Sequence, residues 1–425
     1  MTYDSKLWHP FAQMGAVRHG ELVIDRGEDV WVFDEDGNRY LDATASLWYA
    51  NIGHGRREIA DAAAAQMGKI EAYSAFGDFV TRPGLDLAER LTDLAPMPSR
   101  VFLTSGGGDS IDTAAKLARR YWFEVGQPER TVEISRTAGY HGTHGYGTAL
   151  GGIDANRVGF GPQVESAQVE WDSVDALRDT IASIGAERVA AFFVEPVIGA
   201  GGVYPPPDGY MQGVAEVCRE AGVLLVVDSV ICGFGRLGGW YGIERFGVVP
   251  DMITFAKGVT SGYLPLGGVI VSDELAEPFW RAPDSPMFRH GATYAGHAAC
   301  CAAALANLDI LENEGLVSRG SELEGPLMDA LEPLASNPVV SEVRGGTGLL
   351  AAVGIDAGAV PDMGTAVAQV VKQARAEGVL VRGLGAGIAV SPPLTATPEH
   401  FQMTADAIGA GLAAVEEQRS NVASS

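Results

Sequence analysis

Short, unbroken apolar runs recur along the middle of the chain: Val101-Phe-Leu-Thr104, Thr131-Val-Glu-Ile134, Val189 to Val194, Leu224 to Val227, Met252 to Phe255 and Gly268 to Val271. Amphipathic stretches separate them. Runs without apolar/polar alternation mark strands buried on both faces, and helices between such strands are what cover them, so the pattern predicts an α/β fold around a mostly parallel sheet. Before this region, Val30 to Leu41 reads as two strands around a turn, with Asp36-Gly37 as the hairpin signal. After it comes an Ala-rich segment, Ala298 to Leu311, then short strands near Val339 to Val343, Leu349 to Val353 and Ile388 to Val390. The pattern divides the chain into a large domain at 57–315 and a small α+β domain assembled from 1–56 and 316–425. A single core rarely serves a chain of this length. The Ser- and Ala-rich tail after Gln418 is expected to fray.

Composition narrows the partners rather than the chemistry. The formal charge of -24 over 425 residues argues against nucleic acid or an anionic membrane as a partner. No apolar run reaches the roughly 18 residues needed to span a bilayer, and the N-terminal residues lack a basic and apolar leader pattern. Four cysteines, two of them adjacent at Cys300 and Cys301, do not make a disulfide framework for a chain this long, so a reduced, cytoplasmic protein is expected.

The most specific chemistry lies at the ends of two apolar runs. Leu224-Leu-Val-Val ends in Asp228, and Met252-Ile-Thr-Phe-Ala leads into Lys257-Gly258. A lysine amine can hold the aldehyde of pyridoxal phosphate as a Schiff base, while a carboxylate on the ring nitrogen keeps the ring protonated and electron-withdrawing. Opposite charge at contact distance favours that protonated form.

A third element fits a phosphate. Val101 to Thr104 runs through Ser105-Gly106-Gly107-Gly108 into a helical pattern, and the free amides at a helix start attract anions. Asp109 and Asp112 suit the first turn of that helix and Arg119 and Arg120 the last; the alternative is a tight strand-to-helix turn that binds nothing. Tyr140-His141-Gly142 follows another strand, where an aromatic can stack on a cofactor ring. His141 and His144 lie in a glycine-rich loop with no third ligand, so a metal site is not expected. Gly233-Phe-Gly235-Arg-Leu-Gly238 has the spacing of a dinucleotide-binding turn, yet Gly239-Trp-Tyr-Gly242 follows where a helix should begin, and it reads as a decoy.

Taken together, these residues resemble the class III aminotransferases of fold type I, the group of ω-amino acid and amine transaminases. The resemblance runs through Trp8-His-Pro-Phe11, Asp36-Gly-Asn-Arg-Tyr-Leu-Asp42, Ser46-Leu-Trp48, Gly53-His-Gly55, Gly106 to Gly108, Tyr140-His-Gly142, Glu195-Pro196, Gly199 to Gly202, Asp228 to Arg236, Pro250 to Gly258, Gly262 to Leu266, His290 to Tyr294 and Ser391-Pro-Pro-Leu394. It implies that pyridoxal 5'-phosphate is bound covalently by Lys257, which then shuttles a proton, and that Asp228 pairs with the ring nitrogen. It further implies a ring held between Val230 and Tyr140, a phosphate met by Gly107, Gly108 and Asp109, and support from His141 and Glu195. Thr293 would reach the phosphate of a neighbouring subunit in a homodimer with shared active sites. Arg382 would clamp a substrate carboxylate and swing away for other amines, and Trp48, Phe76 and Tyr140 are candidates for the substrate pocket.

The implied reaction moves an amino group from an ω-amino acid or primary amine donor to pyruvate or a similar 2-oxo acid acceptor. The alternatives are an aminomutase or decarboxylating relative of the same fold, or a pyridoxal phosphate-binding protein without turnover. Two positions depart from the family pattern. Gly108 stands where a hydroxyl residue is usual, removing one phosphate hydrogen bond worth about 1 kcal/mol or somewhat more. Ser229 stands where Glu usually follows the ring-pairing Asp.

Overall fold

The structure, a computed structural model, describes residues 5–423. Seven strands form the central sheet in the spatial order Ser99–Thr104, Gly267–Ser272, Met252–Phe255, Leu224–Asp228, Val189–Val194, Val132–Arg136 and Ser166–Val169. All neighbours are parallel except Gly267–Ser272, which runs antiparallel to both strands beside it. The link from Phe255 to Gly267 carries only a short 3-10 turn, too little chain for the helical crossover a parallel return needs.

The three central parallel strands are buried at every position, because helices cover both faces. Each of these apolar runs falls on a strand of this sheet, the second starting at Val132 rather than Thr131. Ser166–Val169 was not visible as such a run: it is an edge strand carrying Ser166 and Gln168 and is only half buried, so no apolar signal is required of it.

The chain's two ends build smaller sheets together. Ile24–Glu28, Trp31–Asp34 and Arg39–Asp42 are antiparallel, and Val379–Leu380 adds to the last of them in parallel, with Leu41 opposite Val379 and Asp42 opposite Leu380. Val340–Arg344, Ala351–Ile355, Gly387–Val390 and Arg382–Leu384 form a second four-stranded sheet. The Ala-rich segment is the helix Ala298–Asn313, which packs on Arg57–Met67 and Arg82–Asp93; its small side chains permit close approach.

Two expectations are corrected. The C-terminal helix Pro398–Ala423 continues past Gln418 rather than fraying there, extending a helix that packs on Met363–Ala376; positions 424 and 425 lie outside the described residues. The helix Gly107–Glu124 ends one turn beyond Arg119 and Arg120, so neither sits in its last turn; they pair instead with Glu133 and Glu124. Among the described residues no helix is long and apolar enough to cross a membrane.

Strand direction decides where chemistry collects. Thr104, Arg136, Val194, Asp228 and Phe255 all end strands at the same edge of the sheet, as the parallel register requires, and the loops beyond them converge.

Candidate active site

A cavity of 490 Å³ opens at that edge. Lys257 and Asp228 both line it, delivered by adjacent parallel strands in which Asp228 lies opposite Thr254. Beyond Phe255 the backbone turns sharply: Lys257 has φ 46°, and Gly258 has no space for a side chain, since a Cβ there would lie 2.6 Å from Asn51 Nδ2 and 2.9 Å from Phe234 Cβ. Asn307, buried in the Ala-rich helix, donates to the carbonyls of Gly258 and Val259 at 2.9 and 3.0 Å, pinning the turn. Burial pulls the Lys257 amine down to about 8, while Asp228 and Glu195 pull the other way. The unprotonated, nucleophilic form is therefore accessible near neutral pH.

Asp228 is fixed by three donors. Its Oδ2 accepts from His141 Nδ1 at 2.8 Å, and its Oδ1 accepts from Val230 N at 3.1 Å and Thr254 Oγ1 at 3.2 Å. A carboxylate that accepts from Nδ1 assigns the ring proton of His141 to that nitrogen. Glu195, also buried, staples two loops by accepting from Tyr140 N and Gly199 N, each at 2.9 Å, and burial raises its pKa. Arg136, wholly buried below, donates to the Glu195 carbonyl.

Gly107 and Gly108 open the helix Gly107–Glu124 and line the cavity. A Cβ on Gly107 would come within 3.0 Å of Val230 Cγ1, so glycine keeps the space between the helix start and Val230 open. At Gly108 a Cβ would stand 3.2 Å from the His144 ring, which occupies the room a hydroxyl residue would use. The Asp109 side chain does not line the cavity; its Oδ1 faces His144 Nδ1 at 3.3 Å. Its carboxylate would in any case repel a phosphate, leaving only its backbone amide for that role. Asp112 instead accepts from Tyr146 N and Gly147 N at 3.1 Å, securing the next loop.

Tyr140, Val230, Trp48 and Arg382 complete the walls. Trp48 is both core and cavity wall, 2% exposed against Val197, Ile231 and Leu350. Arg382 opens the strand Arg382–Leu384 and is half-buried; it forms no ion pair among the described residues, and its Nε is buried without a hydrogen-bond partner. Burial lowers its pKa, with Tyr140 opposing. Thr293 and Phe76 lie elsewhere, in a separate depression with Tyr73 and Tyr294. Within one chain they do not line the cavity; the segment carrying Thr293 is held to the helix Gly107–Glu124 by His290, which bonds Thr113 and Lys116. Sequence reasoning missed Thr254, Phe11 and Asn156. Thr254 hid inside an apolar run, Phe11 comes to the cavity on a turn and Asn156 on the short 3-10 helix Asp154–Asn156, and neither segment carries a periodic signal. The dinucleotide-like turn is structural: Arg236, fully buried, donates to Leu349 O, Pro392 O and Asn51 Oδ1.

A buried amine, a fixed carboxylate and glycines at a helix start, on one fold edge, define a site suited to pyridoxal phosphate. Residues 14–412 match the class-III aminotransferase family. A probable aminotransferase of Mycobacterium tuberculosis is 42% identical over 81% of this chain and 77% of its own, and the putrescine–pyruvate aminotransferase of Pseudomonas aeruginosa is 36% identical over 90% and 88%. An amine transaminase from an uncultivated Pseudomonas species, solved in its PLP-bound form, superposes with a TM-score of 0.92 at 37% identity, covering 98% of this chain and all of that one. The chain belongs to the class-III aminotransferases. It is a transaminase of fold type I, and pyridoxal phosphate is its cofactor.

Proposed function

We propose that this enzyme takes an amino group from an ω-amino acid or primary amine and passes it to pyruvate or a similar 2-oxo acid. The carrying observation is Arg382: a half-buried guanidinium on the wall of the Lys257 cavity with no carboxylate partner among the described residues. A small 2-oxo acid supplies the missing anion, and the planar fork matches a carboxylate in two hydrogen bonds. A donor without a carboxylate leaves the guanidinium where it stands or displaces it toward solvent.

When bound, the cofactor supplies an electron sink that makes the proton next to the reacting nitrogen labile. Lys257 is the residue that takes and returns that proton, since its amine is buried at the cavity and depressed to about 8. Asp228 would hold the ring nitrogen, its oxygens fixed by His141, Val230 and Thr254. Gly107 and Gly108 would offer amides to the phosphate at the helix start and Tyr140 and Val230 would flank the ring, while Glu195 keeps the Tyr140 loop in place.

Homodimerisation is part of the proposal. Thr293, Phe76, Tyr73 and Tyr294 form a separate depression, and Phe76, Phe79, Val80 and Tyr294 are exposed apolar side chains, as an association surface requires. Thr293 would then meet the phosphate bound by the second copy. Light scattering on the holoenzyme tests this: a dimer is expected, and a monomer with full activity overturns it. The cytoplasm is the proposed location; four buried thiols suit a reducing compartment.

The deciding experiment follows the absorbance of bound cofactor as a primary amine or β-alanine is added, then pyruvate. The reading predicts that the band is lost with the donor, restored by pyruvate, and accompanied by alanine. Release of carbon dioxide, or turnover with no acceptor, would instead indicate a decarboxylating or mutase reaction.

A further inference from the structure

Between the strand Arg39–Asp42 and Asn51 the backbone takes an unusual path. Ala45, Ser46 and Trp48 have φ of 45°, 58° and 66°, and none is glycine. A Cβ disfavours this region, and such strain persists only where the surroundings over-determine it. A single buried carboxylate does that here. Asp42, 2% exposed, accepts through Oδ2 from Ser46 N at 2.6 Å and His54 Nε2 at 2.8 Å, and through Oδ1 from Thr44 N at 3.2 Å and Thr44 Oγ1 at 2.9 Å.

The turn it ties delivers Trp48 to the cavity wall. The same strand lies beside Val379–Leu380, with Ala43 N bonded to Leu380 O, two residues before Arg382. The two walls of the substrate cavity thus share one root, and Asp42 sits at it.

We infer that Asp42 is a positioning residue for donor selection: by holding the left-handed turn at 45–48 it sets how far the Trp48 indole projects over Lys257, and so how large a donor substituent the site admits. This rests on the transaminase reading above. Asp42 touches neither the cavity's reacting end nor any group assigned to the cofactor, so its effect falls on selection among donors.

The test compares kcat/KM for isopropylamine and 1-phenylpropylamine, with pyruvate as acceptor, in wild type, Asp42→Asn, Trp48→Gly and the double variant. Asn keeps the shape of Asp42 but presents an NH2 to two of the four donors, since each oxygen accepts from two, so the turn relaxes. The ratio of bulky to small donor should rise about tenfold in Asp42→Asn, the scale at which a pocket discriminates by a methylene or so. In the Trp48→Gly background Asp42→Asn should shift the ratio no further. The absorbance of bound cofactor should match wild type. Should Asp42→Asn not fold, His54→Ala removes one donor, leaves the other three, and should move the ratio in the same direction by less. Equal loss for both donors, or a ratio that shifts as much without Trp48 as with it, overturns the inference, because packing alone would then hold the indole. Failure of wild type to turn over either amine would instead overturn the transaminase reading.

Discussion

Replacing Arg382 with Gln separates the two halves of the proposed reaction. The guanidinium is half-buried, its pKa is lowered by burial, and no carboxylate among the described residues pairs with it, so the cost of desolvating this charge is already met before substrate arrives. Removing one member of a hydrogen-bonded charge pair in such a site costs about 2–5 kcal/mol. Because Arg382 retains some solvent access, the lower part of that range applies, ~2–3 kcal/mol, or about 30- to 150-fold in rate for the step that engages the carboxylate. The donor half-reaction with a simple primary amine uses no carboxylate and should change by no more than about threefold, since the interaction removed is absent from both its ground and transition states. Stopped-flow single turnovers of the cofactor absorbance measure each half separately: amine added to the loaded enzyme, then pyruvate to the amine-loaded form. The expected result is a selective loss with pyruvate. If both halves slow equally, Arg382 supports the cavity rather than recognising the acceptor, and the argument for a 2-oxo acid clamp fails.

Lys257→Ala should abolish steady-state alanine formation by at least the ~10²–10⁴-fold that general acid–base catalysis contributes, while dialysis and absorbance still register cofactor held without a covalent link. Gly258→Ala should lower the thermal midpoint by an amount equivalent to about 1–3 kcal/mol, since the added Cβ meets Asn51 and the Phe234 side chain; an unchanged midpoint in scanning fluorimetry would show that the turn has room. Gly108→Ser should tighten cofactor binding roughly fivefold by equilibrium titration, the gain of one hydrogen bond to phosphate, with the half-exposed His144 ring rotating aside. Glu133 is buried, and burial raises its carboxyl to about 7 despite Arg119. The native state therefore holds a proton the unfolded chain has lost, and stability falls as pH rises from about 4.5 to about 7, by up to roughly 3 kcal/mol. Glu133→Gln should flatten that slope in denaturant titrations at pH 5 and pH 8; a variant that is less stable chiefly at pH 8 would mean the Arg119 pair outweighs the burial cost.

The sequence alone determined the parts whose physics is local. Runs such as Val189 to Val194 mark doubly covered strands, and the glycine run before a helical pattern, the Asp ending one apolar run and the Lys following another are all local signals, so the sheet, the lysine and its aspartate were legible. The edge strand Ser166–Val169 was not, because an exposed edge needs no apolar signature. What only the tertiary structure decided is who meets whom across long separations. Asp228 finds His141 and Thr254, Asn307 pins Gly258, and Asp42 fixes Trp48 beside a strand from the far end of the chain. Within one chain it also placed Phe76 outside the cavity that motif order had joined it to, and turned the Asp109 carboxylate toward His144. Hydrogen bonds of this kind depend on the register of strands and the packing of helices, which are global outcomes of burying the core, and no spacing in the sequence encodes them.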